Sequence, residues 1–393
     1  MLQLAFVNYK QGSYISMEGK PTSDRFFIIQ SGNVRCFKGV DLGENTILGP
    51  GDFIGVVPCM SGREQIETAI AVTDTVLISV KKDQYIDLIT SNTPVALKII
   101  RTFSDRMRKL NDTLTKLTLQ DAVIASTDQL FAIASFYNKI GQTDVATYAY
   151  YQYLKASPQG VHADMAKKMF AALRPQSRAV YFEPSADAIR SYPKNTMIFS
   201  ECQTGSDMFI IQKGQVKITK VVDDNEVILA VLKKGDFFGE MALLENKPRS
   251  ASAIAFEDCS LLVVNKQNFN QMVQTQAQMV FKITTTFAER LWGLYRQLEN
   301  TAISDPVNKL LDMLALQAEK RKLQFSPGTS YQFDITPMDL ANMCGIPKEK
   351  QFDVLKMFAQ SSKVKIVDGN VYAKDLNDLI EFSIYCRKHS QKG

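Results

Sequence analysis

The sequence predicts an α+β multidomain chain: two jelly-roll-like β-rolls, each followed by a long helix, a helical spacer between them, and a C-terminal helix-turn-helix with a small hairpin. Three observations predict it. A large internal repeat runs through the chain. Inside each copy, short apolar stretches alternate with turn residues. Beyond the second copy, apolar residues return at helical spacing and end in an Asp-Gly hairpin turn.

The repeat is explicit. Phe27-Ile-Ile-Gln-Ser-Gly-Asn-Val34 matches Phe209-Ile-Ile-Gln-Lys-Gly-Gln-Val216 at an offset of 182, and Gly51-Asp-Phe-Ile-Gly55 matches Gly235-Asp-Phe-Phe-Gly239 at 184. The later copy therefore carries two extra loop residues. The 184 offset persists through Val80/Val264, Phe103/Phe287 and Arg106/Arg290, which describes two homologous domains and not a short-period solenoid. Within each, stretches such as Phe26–Ile29, Met208–Ile211 and Val216–Val221 lie between Gly, Asp and Asn turns, the pattern of a roll of short strands.

Each copy runs into a helical stretch, Asp83–Leu117 and Lys266–Asn300. In the second, Phe269, Met272 and Val273, then Phe287, Leu291, Leu294 and Leu298 form an apolar stripe. Packing on its own domain and a seam between two chains are both open for that stripe. Between the copies, Leu130, Ile133, Ala134, Tyr137, Gly141, Ala146, Tyr150, Tyr153 and Pro158 follow a spacing that resembles one tetratricopeptide repeat, followed by a helix over Val161–Leu173. One such unit cannot bury its own face, so it reads as a hairpin packed on a neighbour, with a docking groove for a protein as the other reading. The domains read as residues 1–120, 121–180, 181–303 and 304–393.

The strongest chemical signal is Phe238-Gly-Glu-Met-Ala-Leu-Leu-Glu-Asn-Lys-Pro-Arg-Ser-Ala251. Gly239 permits a tight turn with backbone close to a ligand. Arg249 offers a planar fork for phosphate oxygens and Ser250 a hydroxyl. Glu240 is an acceptor suited to a sugar hydroxyl, which a bare phosphate site would not need. The stretch resembles the phosphate-binding cassette of cyclic-nucleotide-binding domains, G-E-x-A-L followed by P-R-x-A. The resemblance implies that Glu240 holds the ribose 2′-hydroxyl and Arg249 the cyclic phosphate. Ser250, Ala251 and the backbone around Gly239, Glu240, Met241 and Ala242 complete the cradle, and Tyr295 is the candidate for the base. The ligand is cAMP or cGMP. In the first copy Glu240 corresponds to Val56, Ala242 to Pro58, Arg249 to Gln65 and Ser250 to Ile66. Losing one charge-assisted contact costs about 1.5–3 kcal/mol, so the first domain is expected not to bind a cyclic nucleotide.

Near the C-terminus, Asp305-Pro306 starts a helix. Thr336-Pro337 starts another, Gly345 turns the chain, and Pro347 opens a third with Val354, Leu355 and Phe358 inward. Val364–Tyr372 is a hairpin around Asp368-Gly369. The segment resembles the winged helix-turn-helix of CRP/FNR-type transcription regulators, and so does the domain order. The resemblance implies duplex DNA as a partner, met by Lys348, Glu349, Lys350, Gln351 and Lys356, and a homodimer. Two features depart from it. Asp353 stands where the family usually has Arg, and residues 302–393 carry 13 Lys+Arg against 11 Asp+Glu. That balance is thin for a phosphate backbone, so a protein-contact role for the winged helix stays open.

Composition narrows the function class. The chain has 393 residues and a formal charge of +5, which neither demands nor forbids nucleic acid. Its longest aliphatic run, Val227–Leu232, is far short of the ~20 residues of a membrane span. The N-terminus predicts no signal peptide. Six scattered cysteines read as free thiols in a reducing, cytoplasmic setting. With two histidines and no clustered ligands, no metal, haem or iron–sulfur cluster is expected. No nucleophile–base pair emerges either, so a binding protein is expected and not an enzyme.

Overall fold

The computed structural model describes residues 4–38, 46–118, 127–181, 188–222, 225–245 and 247–390. Asn246 of the cassette and the expected junction at residue 120 lie outside these.

The first roll is built from β1 (Ala5–Tyr9), β2 (Tyr14–Ser16), β3 (Arg25–Ser31), β4 (Val34–Phe37), β5 (Thr46–Leu48), β6 (Phe53–Ile54), β7 (Thr68–Ala71) and β8 (Thr75–Lys81), with α1 (Val56–Ser61) between β6 and β7. Helices α2 (Tyr85–Ser91) and α3 (Thr93–Thr118) follow. Next come three helices, α4 (Thr127–Lys139), α5 (Thr143–Ala156) and α6 (Ala163–Leu173). The second roll comprises β9 (Ile189–Tyr192), β10 (Met197–Phe199), β11 (Met208–Lys213), β12 (Val216–Val222), β13 (Asn225–Leu232), β14 (Phe237–Phe238), β15 (Ser252–Ala255) and β16 (Cys259–Val264), with α7 (Glu240–Glu245) after β14. The remainder is α8 (Lys266–Thr275), α9 (Ala277–Thr301), α10 (Pro306–Lys320), β17 (Tyr331–Gln332), α11 (Pro337–Met343), α12 (Lys348–Ala359), β18 (Val364–Val367), β19 (Asn370–Ala373) and α13 (Leu376–Ser390).

The two rolls share one topology. The first has antiparallel sheets in the orders β1-β8-β3-β6 and β2-β7-β4-β5; the second has β9-β16-β11-β14 and β10-β15-β12-β13. Register follows the repeat. Val34 faces Leu48 and Val216 faces Leu232, one partner of each pair at offset 182 and the other at 184. The two extra residues therefore sit in the β12–β13 hairpin.

The long helical stretches expected after each roll are broken in two. The breaks fall at Asn92 and Gln276, equivalent positions with non-helical backbone. Pro94 in the first turn of α3 removes a helical N–H donor; at the second break there is no proline.

Packing divides the chain into two compact units, Met1–Gln120 with Val273–Gly393, and Asp121–Met272. In the first, α9 packs on α3, α1, α2 and α10. Phe287, Leu291 and Leu298 of its stripe are buried there, so the chain itself covers the face that could have been a seam between two chains. In the second, α4 and α5 pair and share a core with Met197 and Ile254 of the second roll. Tyr137 of α4 donates to Glu226 Oε1 at 2.9 Å. The helical pair is thus part of the roll's own packing.

At the C-terminus, Asp305 caps α10 by accepting from the Asn308 N–H at 2.7 Å. Thr336 and Asp339 form a reciprocal capping box at α11. Asp368 and Gly369 both have positive φ, the requirement of the two-residue turn that joins β18 to β19. Two elements had no clear sequence signal: β17, which pairs with β19, and α13, which packs on α10. No helix among the described residues is long and apolar enough to cross a membrane.

Candidate functional site

The cassette begins where β14 ends. Gly239 has φ +79°, and a Cβ there would stand 2.8 Å from Arg249 Nη1. Only glycine fits both the backbone and the space. Glu240 opens α7 and is 4% exposed; Ala242 and Leu243 beside it are buried.

Arg249 is the centre of the arrangement, 6% exposed. Nη1 donates to the Gly239 carbonyl at 2.6 Å, and the guanidinium carbon lies 4.2 Å from the centroid of the Phe199 ring. The backbone of Arg249 is held on both sides: its N–H donates to Gln203 O, and its carbonyl accepts from Cys202 N–H, each at 2.9 Å. Nε makes no hydrogen bond among the described residues. Burial pulls the Arg249 pKa down to about 10, opposed by the negative charges of Asp207 and Glu240. A buried cation with spare donors beside a buried carboxylate can take an anion that also carries hydroxyl groups. Ser250 Oγ lies 3.7 Å from Met241 Sδ, and Ala251 is buried at the entry to β15. The structure therefore brings Gly239, Glu240, Met241, Ala242, Arg249, Ser250 and Ala251 into one place.

Tyr295 belongs to a different part of the chain. It lies on α9 in the other compact unit, buried, with Lys38 Nζ 4.6 Å above its ring. Sequence reasoning missed the wall around Arg249: Phe199, Gln203, Gly205 and Asp207. One signal was available. Asp207 corresponds in the repeat to Arg25, a charge reversal that marks the second copy as built around a cation.

In the first roll the equivalent turn survives, with Gly55 at φ +74°. Its surroundings differ. Val56, Val57, Pro58, Cys59 and Met60 are all buried. The cavity beside α1 is lined by Val56, Val57, Pro58, Ile99 and Phe103, with polar side chains chiefly from Asp52, Glu67, Thr102 and Arg106. Arg106 is paired with Glu67 at 3.5 Å, and no acid or arginine stands at the Glu240 and Arg249 positions.

On α12, Lys348, Glu349, Lys350 and Lys356 are exposed, and Phe352 among them is 78% exposed. Gln351 is corrected: it is buried, and its Nε2 donates to Asn342 Oδ1 at 3.1 Å and Ile346 O at 2.9 Å. Its amide locks α12 to α11 and is not presented outward.

The six cysteines are all free, and five are buried. Among the described residues no group of His, Cys, Asp and Glu is arranged to hold a metal ion.

The family described as "Cyclic nucleotide-binding domain" matches residues 6–92 and 189–276, the two rolls. Among similar proteins, the cAMP-activated global transcriptional regulator CRP of Pasteurella multocida is 28% identical over 171 residues, covering 43% of this chain and 81% of that one. The Cyclic AMP receptor protein of Thermus thermophilus is 26% identical over 187 residues, covering 47% and 83%. The cGMP-dependent protein kinase 2 of Homo sapiens is 30% identical over 148 residues, covering 37% of this chain and 19% of that one.

Proposed function

We propose that this chain, a tandem-domain member of the CRP/FNR-type cyclic-nucleotide-binding regulators, is a receptor whose second roll alone binds cAMP or cGMP. The observation that carries this is the buried Arg249 held on Gly239 beside the buried Glu240. Glu240 accepts from the ribose 2′-hydroxyl. Arg249 exchanges its neutral partner, the Gly239 carbonyl, for the cyclic phosphate, a stronger charge-assisted bond. Ser250 and the N–H groups at the start of α7 complete the cradle. The first roll holds α9 and takes no nucleotide. No reaction step is proposed, and no metal.

Nucleotide binding shifts a population of conformations, and α8, α9 and α10 carry the shift to the C-terminal helices. We read α11, α12 and the β18–β19 hairpin as a winged helix that meets duplex DNA through Lys348, Glu349, Lys350 and Lys356. Pairing of two chains on two half-sites uses a surface other than the α9 stripe, which is buried within the chain.

Calorimetric titration with cAMP and cGMP tests the site. One nucleotide per chain, lost in Arg249→Ala, is expected; no binding of either nucleotide overturns the reading.

A second reading is favoured by Phe352, 78% exposed between charged residues on α12: the winged helix contacts a protein and not DNA. Salt-sensitive retention on duplex DNA separates the two. Its absence, with nucleotide bound, selects the protein partner.

A further inference from the structure

The helical pair reaches Arg249 through one side chain. Tyr148, on α5, is buried, and its hydroxyl lies 3.1 Å from Ile198 O and 3.2 Å from Gln203 Oε1. The same Oε1 accepts the Ser200 N–H at 2.9 Å. Gln203 thereby closes the turn that follows β10. Its backbone carbonyl accepts the Arg249 N–H, and Cys202 N–H donates to Arg249 O. Two residues on, Gly205 approaches so closely that a Cβ there would stand 2.9 Å from Arg249 Nη2. The turn is thus the wall against which the guanidinium lies, and Tyr148 pins that wall to α5.

We propose that Tyr148 is a positioning residue for Arg249, which makes the α4–α5 pair a part of the nucleotide site. The proposal rests on the reading that Arg249 takes the cyclic phosphate. Its physical basis is pre-organisation: a side chain held in its binding geometry loses less freedom when the ligand arrives. Without the hydroxyl, Gln203 Oε1 keeps only the Ser200 N–H among these two donors. The turn then loosens, and Arg249 with it. By linkage, a change in how α5 packs alters nucleotide affinity, and bound nucleotide stiffens α5 in return.

The experiment uses the full chain and the variants Tyr148→Phe, Arg249→Lys and the double substitution, titrated with cAMP and cGMP. The nucleotide-free proteins are compared by the NMR signal of the Arg249 Nε–H. Tyr148→Phe is expected to weaken binding about three- to tenfold, the scale of one net hydrogen bond. It is expected to cost nothing further in the Arg249→Lys background, and to shift or broaden the Arg249 signal. Tyr372→Phe serves as the control. Its hydroxyl donates to Ser330 Oγ at 2.5 Å, away from the helical pair in sequence and in a separate sheet, and affinity should not change. Unchanged binding in Tyr148→Phe overturns the proposal, as do additive losses in the double variant or an unmoved Arg249 signal. If the unaltered protein binds neither nucleotide, the ligand reading falls, and the Arg249 signal still decides whether Tyr148 positions that side chain.

Discussion

Arg296 of α9 lies 3.4 Å from Asp312 of α10, and neither side chain meets solvent. Glu319 and Glu299 stand at the same distance from the guanidinium. Asp312 also accepts from Ser383 of α13 at 2.6 Å and from Asn300 of α9 at 2.9 Å. Glu299 meets Lys38 of the first roll at 3.1 Å. One buried arginine therefore ties three helices and the first roll into a single ionic cluster. Burial alone would lower its pKa; the surrounding carboxylates outweigh that and raise it above its usual value.

Removing that cation takes from the buried Asp312 its nearer arginine and leaves it the longer contact to Arg387 at 3.9 Å. Arg296→Ala is expected to destabilise the first compact unit by about 3–5 kcal/mol. Urea unfolding followed by the fluorescence of Trp292, the sole tryptophan and itself packed under Arg63 at 4.4 Å, measures it. A loss below about 1 kcal/mol would show that the cluster is dispensable.

The two equivalent glycines should respond differently. Gly239→Ala puts a Cβ 2.8 Å from Arg249 in a left-handed backbone, so binding of nucleotide should be lost and stability lowered by about 1–3 kcal/mol. Gly55→Ala has the same backbone strain but nothing within 4 Å. It should cost only about 1 kcal/mol and leave nucleotide affinity unchanged. Equal effects on binding in calorimetry would refute the assignment of the site to the second roll.

Glu201 supplies a pH dependence. It is buried beside Lys220 at 3.2 Å, and burial raises its pKa despite that lysine. A carboxyl whose folded pKa lies above its unfolded value adds stability below the unfolded pKa, and that stability is lost as pH rises through the folded value. Glu201→Gln should flatten the stability profile above the unfolded value of about 4.5. A steeper profile in the variant, by chemical denaturation across pH, would contradict the sign.

On α12 the exposed lysines and the buried glutamine should separate. If α11, α12 and the β18–β19 hairpin meet DNA as proposed, Lys348→Ala and Lys356→Ala each reduce the slope of log affinity against log salt by about one, with the fold unchanged. Gln351→Ala instead lowers stability by about 1–3 kcal/mol, because Asn342 Oδ1 and Ile346 O lose a buried donor. Unaltered melting of Gln351→Ala would return that residue to the candidate contacts.

The rolls and the cassette were legible because their signals are local or repeated. Phe209 pairs with Phe238 and Val263 in the second roll as Phe27 pairs with Ile54 and Ser79 in the first, and the offset alone announces it. Gly239 to Ala251 lie in one short run, so their chemistry could be read in line. Gln351 was misplaced for a physical reason. Helical spacing says that a residue faces inward or outward, but the partner it meets comes from elsewhere in the chain.

Chain order and residue type thus determined the two rolls, the differing residues of their two cassettes and the capped C-terminal helices, since turns, caps and strand alternation depend on near neighbours. Tertiary packing decided which carboxylates surround Arg296, that α9 is covered by α3 and α1, and that Tyr148 closes the wall of Arg249. Those choices depend on groups distant in sequence, such as Tyr148 and Gln203 or Lys38 and Glu299, and on burial that makes each unpaired charge or donor costly only once the chain has folded.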